Sequence, residues 1–151
     1  MDKKESGRKI LVDADACPVK DIILRVAKKH SLPVVFFIDT SHVLEEEDAT
    51  VVIIGKGKDA VDFALVNRTE KDDIVVTQDY GLAAMVLARG ACAVHPGGMI
   101  YTKNNMDCLL MERHVNAKIR RAGGRHSGPS RRNHLDDSRF EQELERLCTT
   151  S

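Results

Sequence analysis

The sequence predicts an α/β fold, a three-layer sandwich whose central, mainly parallel sheet of about five strands is covered by helices on both faces. Two observations carry this. The short apolar runs Ile10-Leu11-Val12, Pro33–Ile38, Val51–Ile54 and Ile74-Val75-Val76 have the length and composition of strands buried on both faces. The segments between them place apolar residues at helical spacing, and strands alternating with helices imply crossover connections and a parallel sheet.

Taken in order, Met1 to Arg8 is charged and reads as a frayed tail. Lys9–Asp13 is the first strand. Pro18–His30 is a helix: proline suits a first helical position, and Val19, Ile22, Ile23, Val26 and Ala27 form one stripe. Pro33–Ile38 is the second strand, and Thr40–Thr50 is a polar loop holding the acidic run Glu45–Asp48. Val51–Ile54 is a third strand, leading through Gly55-Lys56-Gly57-Lys58 to a helix over Asp59–Arg68 with Val61, Ala64 and Leu65 inward. Asp72–Thr77 holds the fourth strand. A helix over Asp79–Arg89 follows, with Asp79 as N-cap and Gly90 as its stop. Ala91–Val94 is a fifth strand and His95–Asn105 a loop. Asn105 caps a helix running from Met106 to about Arg121. Residues 122–136, rich in Gly, Arg, Ser and His, read as a flexible basic loop. Ser138–Cys148 closes the chain as a helix with the stripe Phe140, Leu144 and Leu147.

All 151 residues fit one domain, and 42% hydrophobic with 30% charged residues is ordinary for a soluble protein. Lys+Arg and Asp+Glu are equal at 23 each, so bulk charge selects no partner. Trp is absent and aromatics are 4%, which supplies few platforms for stacking single-stranded bases. Cys17, Cys92, Cys108 and Cys148 form no Cys-x-x-Cys and no zinc spacing, the pattern of reduced intracellular thiols. With no apolar run of membrane-spanning length and no signal-like N-terminus, a cytoplasmic protein without membrane contact is expected.

Acids gather at the predicted strand ends. The first strand delivers Asp13 and Asp15, the third leads to Asp59 and Asp62, and the fourth ends at Asp79. Asp59 and Asp62 stand i and i+3 on a helix and share a face. In a right-handed parallel sheet these ends lie on one edge. Hard oxygen ligands converging there select Mg²⁺ or Mn²⁺, which suits phosphoryl chemistry: the ion activates water and stabilises charge developing on phosphate. Taken singly, each acid also fits a cap or first-turn position favoured by the helix dipole, Asp59 and Asp79 especially.

The segments Val12-Asp13-Ala14-Asp15-Ala16-Cys17-Pro18, Gly57-Lys58-Asp59-Ala60-Val61-Asp62 and Val76-Thr77-Gln78-Asp79 carry a resemblance. So do Tyr101-Thr102, Ser127-Gly128-Pro129 and the spacing Asp136 to Phe140. They resemble the signatures of the YaiI/YqxD family of uncharacterised bacterial proteins, over nearly the whole chain from Lys9 to Leu147. That family is grouped with the PIN-like nucleases. The resemblance implies a PIN-like fold and a cluster of acids holding one or two Mg²⁺ or Mn²⁺ ions. It places Asp13, Asp59 or Asp62, and Asp79 at the metal positions. Asp15 is the further acid of the site, ligating or orienting.

From Arg113 to Arg132 the chain has Arg113, Lys118, Arg120, Arg121, Arg125, Arg131 and Arg132 and no acid. This local positive stripe is placed to hold a phosphate backbone while the acidic rim holds metal, so RNA is the expected partner. A solvated, charged helix face beside a loop is the alternative reading of the same residues.

A metal-dependent nuclease acting on RNA is therefore expected. The competing enzyme is a haloacid-dehalogenase-like phosphatase, with Asp13 as nucleophile and Asp15 as acid/base. Against it, Cys17 stands where that family usually has Thr or Val, and its late Gly-Asp-x-x-x-Asp is missing. A non-catalytic RNA-binding domain is the third reading. Gly55-x-Gly57 lacks the Lys-Ser/Thr of a P-loop and the third glycine of a dinucleotide fingerprint. Cys17 and His95 read as a structural thiol and a satisfied loop histidine, although His95 stands near the acidic edge.

Overall fold

Successive side chains of the first strand are buried on alternate faces and sort the core into two clusters. A computed structural model describes residues 8–14, 17–39, 49–55, 58–121 and 133–149. In β1 (Ile10–Asp13), Ile10 and Val12 enter one apolar cluster and Leu11 the other, as the period of two requires. Beside it lie β2 (Val34–Asp39), β3 (Thr50–Ile54), β4 (Ile74–Val76) and β5 (Cys92–Val94), in the order β3-β2-β1-β4-β5. Every pairing of these five strands is parallel; the expected sheet was only mainly so. The one antiparallel contact among described residues is an isolated bridge, Val94 to Ile100. In β2, Val34 to Ile38 are all buried, as a doubly covered central strand demands.

Helices complete the three layers. The first cluster joins Ile10, Val12, Phe36, Ile74 and Val76 to α1 (Lys20–His30) and α5 (His134–Thr149). The second joins Leu11, Phe37 and Val75 to α2 (Lys58–Arg68), α3 (Tyr80–Ala88) and the start of α4 (Lys103–Arg121). The helix stripes read from sequence are the buried ones: Val26 and Ala27 in α1, Val61 and Leu65 in α2, Phe140, Leu144 and Leu147 in α5.

Several boundaries differ from the sequence reading, each for a local reason. Helix α1 begins at Lys20, because Val19 takes a non-helical conformation (φ −118°, ψ 23°) while its side chain is drawn into the core. Helix α4 begins at Lys103, three residues early. Thr102 and Asn105 cap it reciprocally: Thr102 N donates to Asn105 Oδ1 at 2.8 Å and Asn105 N to Thr102 Oγ1 at 3.2 Å. Asn105 is thus the third helical residue, not the cap. Helix α5 starts at His134, where Asn133 Oδ1 accepts from Leu135 N and Asp136 Oδ2 accepts from Asn133 N. The last part of the expected loop, 133–136, is therefore cap and first turn, and 122–132 lies outside the described residues. Arg8 is no part of a frayed tail: it donates to Asp72 O at 3.0 Å and to Leu147 O at 2.9 Å. Residues 1–7 lie outside the described residues.

Helix α5 is fastened to α1 by charge as well as by apolar packing. Arg25 pairs with Glu141 at 2.6 Å, and Glu145 meets both Lys29 (3.1 Å) and His30 (2.6 Å). Over the turn that follows β5, Gly98 (φ +99°) leaves room for this helix; a Cβ there would stand 2.5 Å from Arg139 Cγ. The hydrogen bonds from His30 and then Lys29 hold the Glu145 carboxyl below the usual glutamate range. A carboxyl so lowered contributes stability above its unfolded pKa and loses it as pH falls through the lower folded value. Glu145→Gln is expected to lower Tm at neutral pH, with the gap to wild type closing once pH drops below that folded value. Thermal melts of both proteins between neutral and acid pH check this.

Candidate functional site

The strand order reverses direction between β1 and β4, since β2 lies on one side of β1 and β4 on the other. In open α/β sheets the crevice at such a switch point, outside the carboxyl ends of the strands, is where ligands bind. Asp13 ends β1 there. Val12 is in register with Val76, so Asp13 and Thr77 are neighbours in the next row. Thr77 Oγ1 donates to Asp13 Oδ2 at 3.1 Å. The same hydroxyl accepts from Asp79 N at 3.0 Å, so one threonine ties together the strand-end acid and the first residue before α3.

Thr77 is itself held. Its side chain is buried, and the buried Tyr101 hydroxyl donates to Thr77 O at 3.0 Å. Burial first, then the nearby Asp79 and Tyr80, push the Tyr101 phenol upward, so it remains a hydroxyl donor at all working pH. Neither residue carried a role in the sequence reading. The signal for Thr77 was present in its hydroxyl, one residue past β4 and two before a cap. Tyr101 stood out only within the Tyr101-Thr102 motif of the family resemblance; its contact with Thr77 depends on the return of the chain after β5.

The sequence-predicted acids divide into three groups. Asp13 and Asp79 are half-buried and meet through Thr77. Asp79 also caps α3, its Oδ1 accepting from Gly81 N (2.8 Å) and Leu82 N (3.3 Å), so the structural role read for it is real. Asp62 lies on α2, which packs on β1, β2 and α3, and its Oδ1 is buried. Asp15 and the side chain of Asp59 lie outside the described residues. Among the described residues, no three His, Cys, Asp or Glu side chains stand close enough to hold a metal ion. What the fold brings together is therefore the Asp13 carboxylate and the backbone of Asp79, through Thr77, beside the helix that carries Asp62.

On α4, Lys118 and Arg121 are exposed to solvent. The side chains of Arg113 and Arg120, and all of Arg125, Arg131 and Arg132, lie outside the described residues. Cys17 is buried in the core, as a structural thiol should be. His95 Nδ1 accepts from Gly97 N at 2.8 Å and the ring stands 6.4 Å from that of Tyr101. Among the described residues no helix is long and apolar enough to cross a membrane.

No solved structure matches the chain. Curated relatives cover most of its length. A "UPF0178 protein" of Ruminiclostridium cellulolyticum is 53% identical over 135 residues, 89% of this chain and 88% of the relative. Proteins of the same name from Exiguobacterium sibiricum and Natranaerobius thermophilus are 50% and 46% identical, covering 93% and 92% of this chain and 96% and 95% of their own. The family model described as "Uncharacterized BCR, YaiI/YqxD family" matches residues 11–150. A match from β1 to the end of α5 takes in the strand-end acids and the threonine between them, and the chain belongs to the YaiI/YqxD family.

Proposed function

We propose that this protein is a divalent-metal-dependent phosphodiesterase that cleaves RNA. One observation carries the reading: at the switch point of an all-parallel sheet, the hydroxyl of Thr77 holds the Asp13 carboxylate and the backbone N–H of Asp79, which sets two strand-end acids on either side of one threonine. The donors fit Mg²⁺ or Mn²⁺ in kind, being carboxylates supported by a hydroxyl, with no soft sulfur among them. Asp13, Asp62 and Asp79, with Asp59 and Asp15 from the adjoining segments, are the residues that would hold the ion. When bound, it neutralises the acids and stabilises the charge that develops on phosphate. Thr77 holds the Asp13 carboxylate by a hydrogen bond, and Tyr101 keeps Thr77 in place.

The direct test is hydrolysis of a single-stranded RNA with Mn²⁺, with Mg²⁺ and with EDTA. Cleavage that needs the metal supports the reading. A folded protein that never cleaves RNA, but traps a phosphoryl group on Asp13, would sustain the phosphatase reading instead. Binding to the native state alone raises apparent stability by mass action. Mn²⁺ at a hundredfold excess over Kd is therefore expected to add about 2.7 kcal/mol. Scanning calorimetry with and without Mn²⁺ checks this; an unshifted transition removes the metal site from the proposal.

The basic segment supplies the hold on RNA in this reading. Replacing Arg120 and Arg121 together with alanine is expected to weaken RNA binding whatever its sequence. It should flatten the slope of log affinity against log salt by about 1.4, at about 0.7 per phosphate contact on a single strand. Melting should barely move at Arg121, which is exposed, because exposed charges contribute little to stability. Filter binding over a salt series measures both quantities.

A further inference from the structure

Helix α4 is only half used by the fold. Met106 near its start is buried against the sheet, but beyond it no described residue of the helix is buried. One stripe of exposed residues runs Asn104, Cys108, Met111, Val115, Lys118, at spacings of four, three, four and three. That is the heptad spacing of a coiled-coil seam, and its centre is apolar: Met111 is 63% and Val115 44% exposed. Nothing in the proposed chemistry uses these two side chains, and a phosphate backbone would leave them in water.

The charges flanking the stripe have an order. The exposed acid Asp107 lies toward the start of the helix and the exposed Lys118 toward its end. Parallel pairing with a second copy would set like charges together. Antiparallel pairing sets acid against base twice over, once at each end, and also opposes the helix dipoles. A self-complementary charge order of this kind fits a second copy of the same surface.

We propose that α4 is a homodimer interface, two copies packing antiparallel about a twofold axis between Met111 and Val115. In this register Met111 of one protomer packs on Val115 of the partner subunit. Cys108 lies opposite Lys118 of the partner subunit, and Asp107 lies beside the partner's Lys118. The overlap of the stripe from Cys108 to Lys118 is about 15 Å long at 1.5 Å per residue, a small seam that gives a concentration-dependent dimer. Lys118 then belongs to the seam, and the neighbouring arginines remain for nucleic acid.

The register is testable on the full chain. Sedimentation velocity over the micromolar to millimolar range is expected to show a monomer–dimer equilibrium that Met111→Glu abolishes; circular dichroism should show that this exposed change leaves the fold intact. Asp107→Lys and Lys118→Asp are each expected to raise the dimer Kd by about fivefold, since each disturbs two equivalent pairs, and the combined variant should restore it. In Lys118→Cys, oxidised glutathione should join the new thiol to Cys108 of the partner subunit, taking two hydrogens to form one disulfide. Within one chain those positions are about 15 Å apart along the helix, beyond disulfide reach. The covalent dimer on a non-reducing gel should vanish when Cys108→Ser is added. A monomer at every concentration, or a dimer indifferent to Met111→Glu, overturns the interface. A crosslink that survives Cys108→Ser overturns the antiparallel arrangement.

Discussion

Asp13→Asn is expected to abolish the Mn²⁺-dependent rise in Tm and to cut RNA cleavage by about 100- to 1,000-fold, the usual loss when one electrostatic stabiliser is removed. Asparagine keeps the size of the side chain, and its amide oxygen can still accept from Thr77 Oγ1, which now lies 3.1 Å from Asp13 Oδ2. The charge alone is lost. Asp13 is half-buried at the sheet edge, so the unliganded variant should melt close to wild type. Calorimetry with and without Mn²⁺ separates the two effects. A variant that binds Mn²⁺ as wild type does would exclude Asp13 as a ligand. Thr77→Val probes the support: it keeps the shape and removes the hydroxyl. Metal affinity should fall by about 10- to 100-fold, as for other partners that orient a ligand.

Asp73→Ala is expected to be the most destabilising single change at a position outside the site. Asp73 is fully buried. Its carboxylate accepts from Lys9 N (3.1 Å), Lys9 Nζ (2.8 Å) and Glu70 N (2.8 Å). Alanine would strand two backbone donors and an ammonium that is itself largely covered. Removing one member of a buried pair costs about 3–5 kcal/mol. For a chain of this size that is a fall in Tm of about 10 °C. Urea unfolding should show a lower midpoint at an unchanged slope, the sign of lost native stability alone. A fall under about 1 kcal/mol would mean that water reaches the stranded groups and that the site is less enclosed than its burial indicates.

The elements were legible because their signals are local. The apolar run Val34–Ile38 after an amphipathic helix leaves few alternatives to a buried strand, and the stripes of α1, α2 and α5 are the faces the core receives. Where the reading slipped, either a partner distant in the chain or a choice between two local caps had decided it. Val19 leaves the helical conformation to enter the core. Arg8 is ordered by two carbonyls, 64 and 139 residues away. The start of α4 turned on which of Thr102 and Asn105 caps the other, a choice between two good capping residues that spacing does not settle.

The candidate site divides the same way. The sequence by itself determined which acids stand at strand ends, because the strand-to-helix turns that carry Asp13 and Asp79 are short and their chemistry is local. It determined the local excess of base between Arg113 and Arg132 as well. Only the tertiary structure decided which acids meet. The strand order β3-β2-β1-β4-β5 seats β4 directly beside β1, so that Thr77 falls next to Asp13 across 64 residues of chain. Sequence periodicity says which face a residue takes, but which strands become neighbours depends on how helices of both layers cover the sheet. That is a property of packing across the whole core and has no local signature.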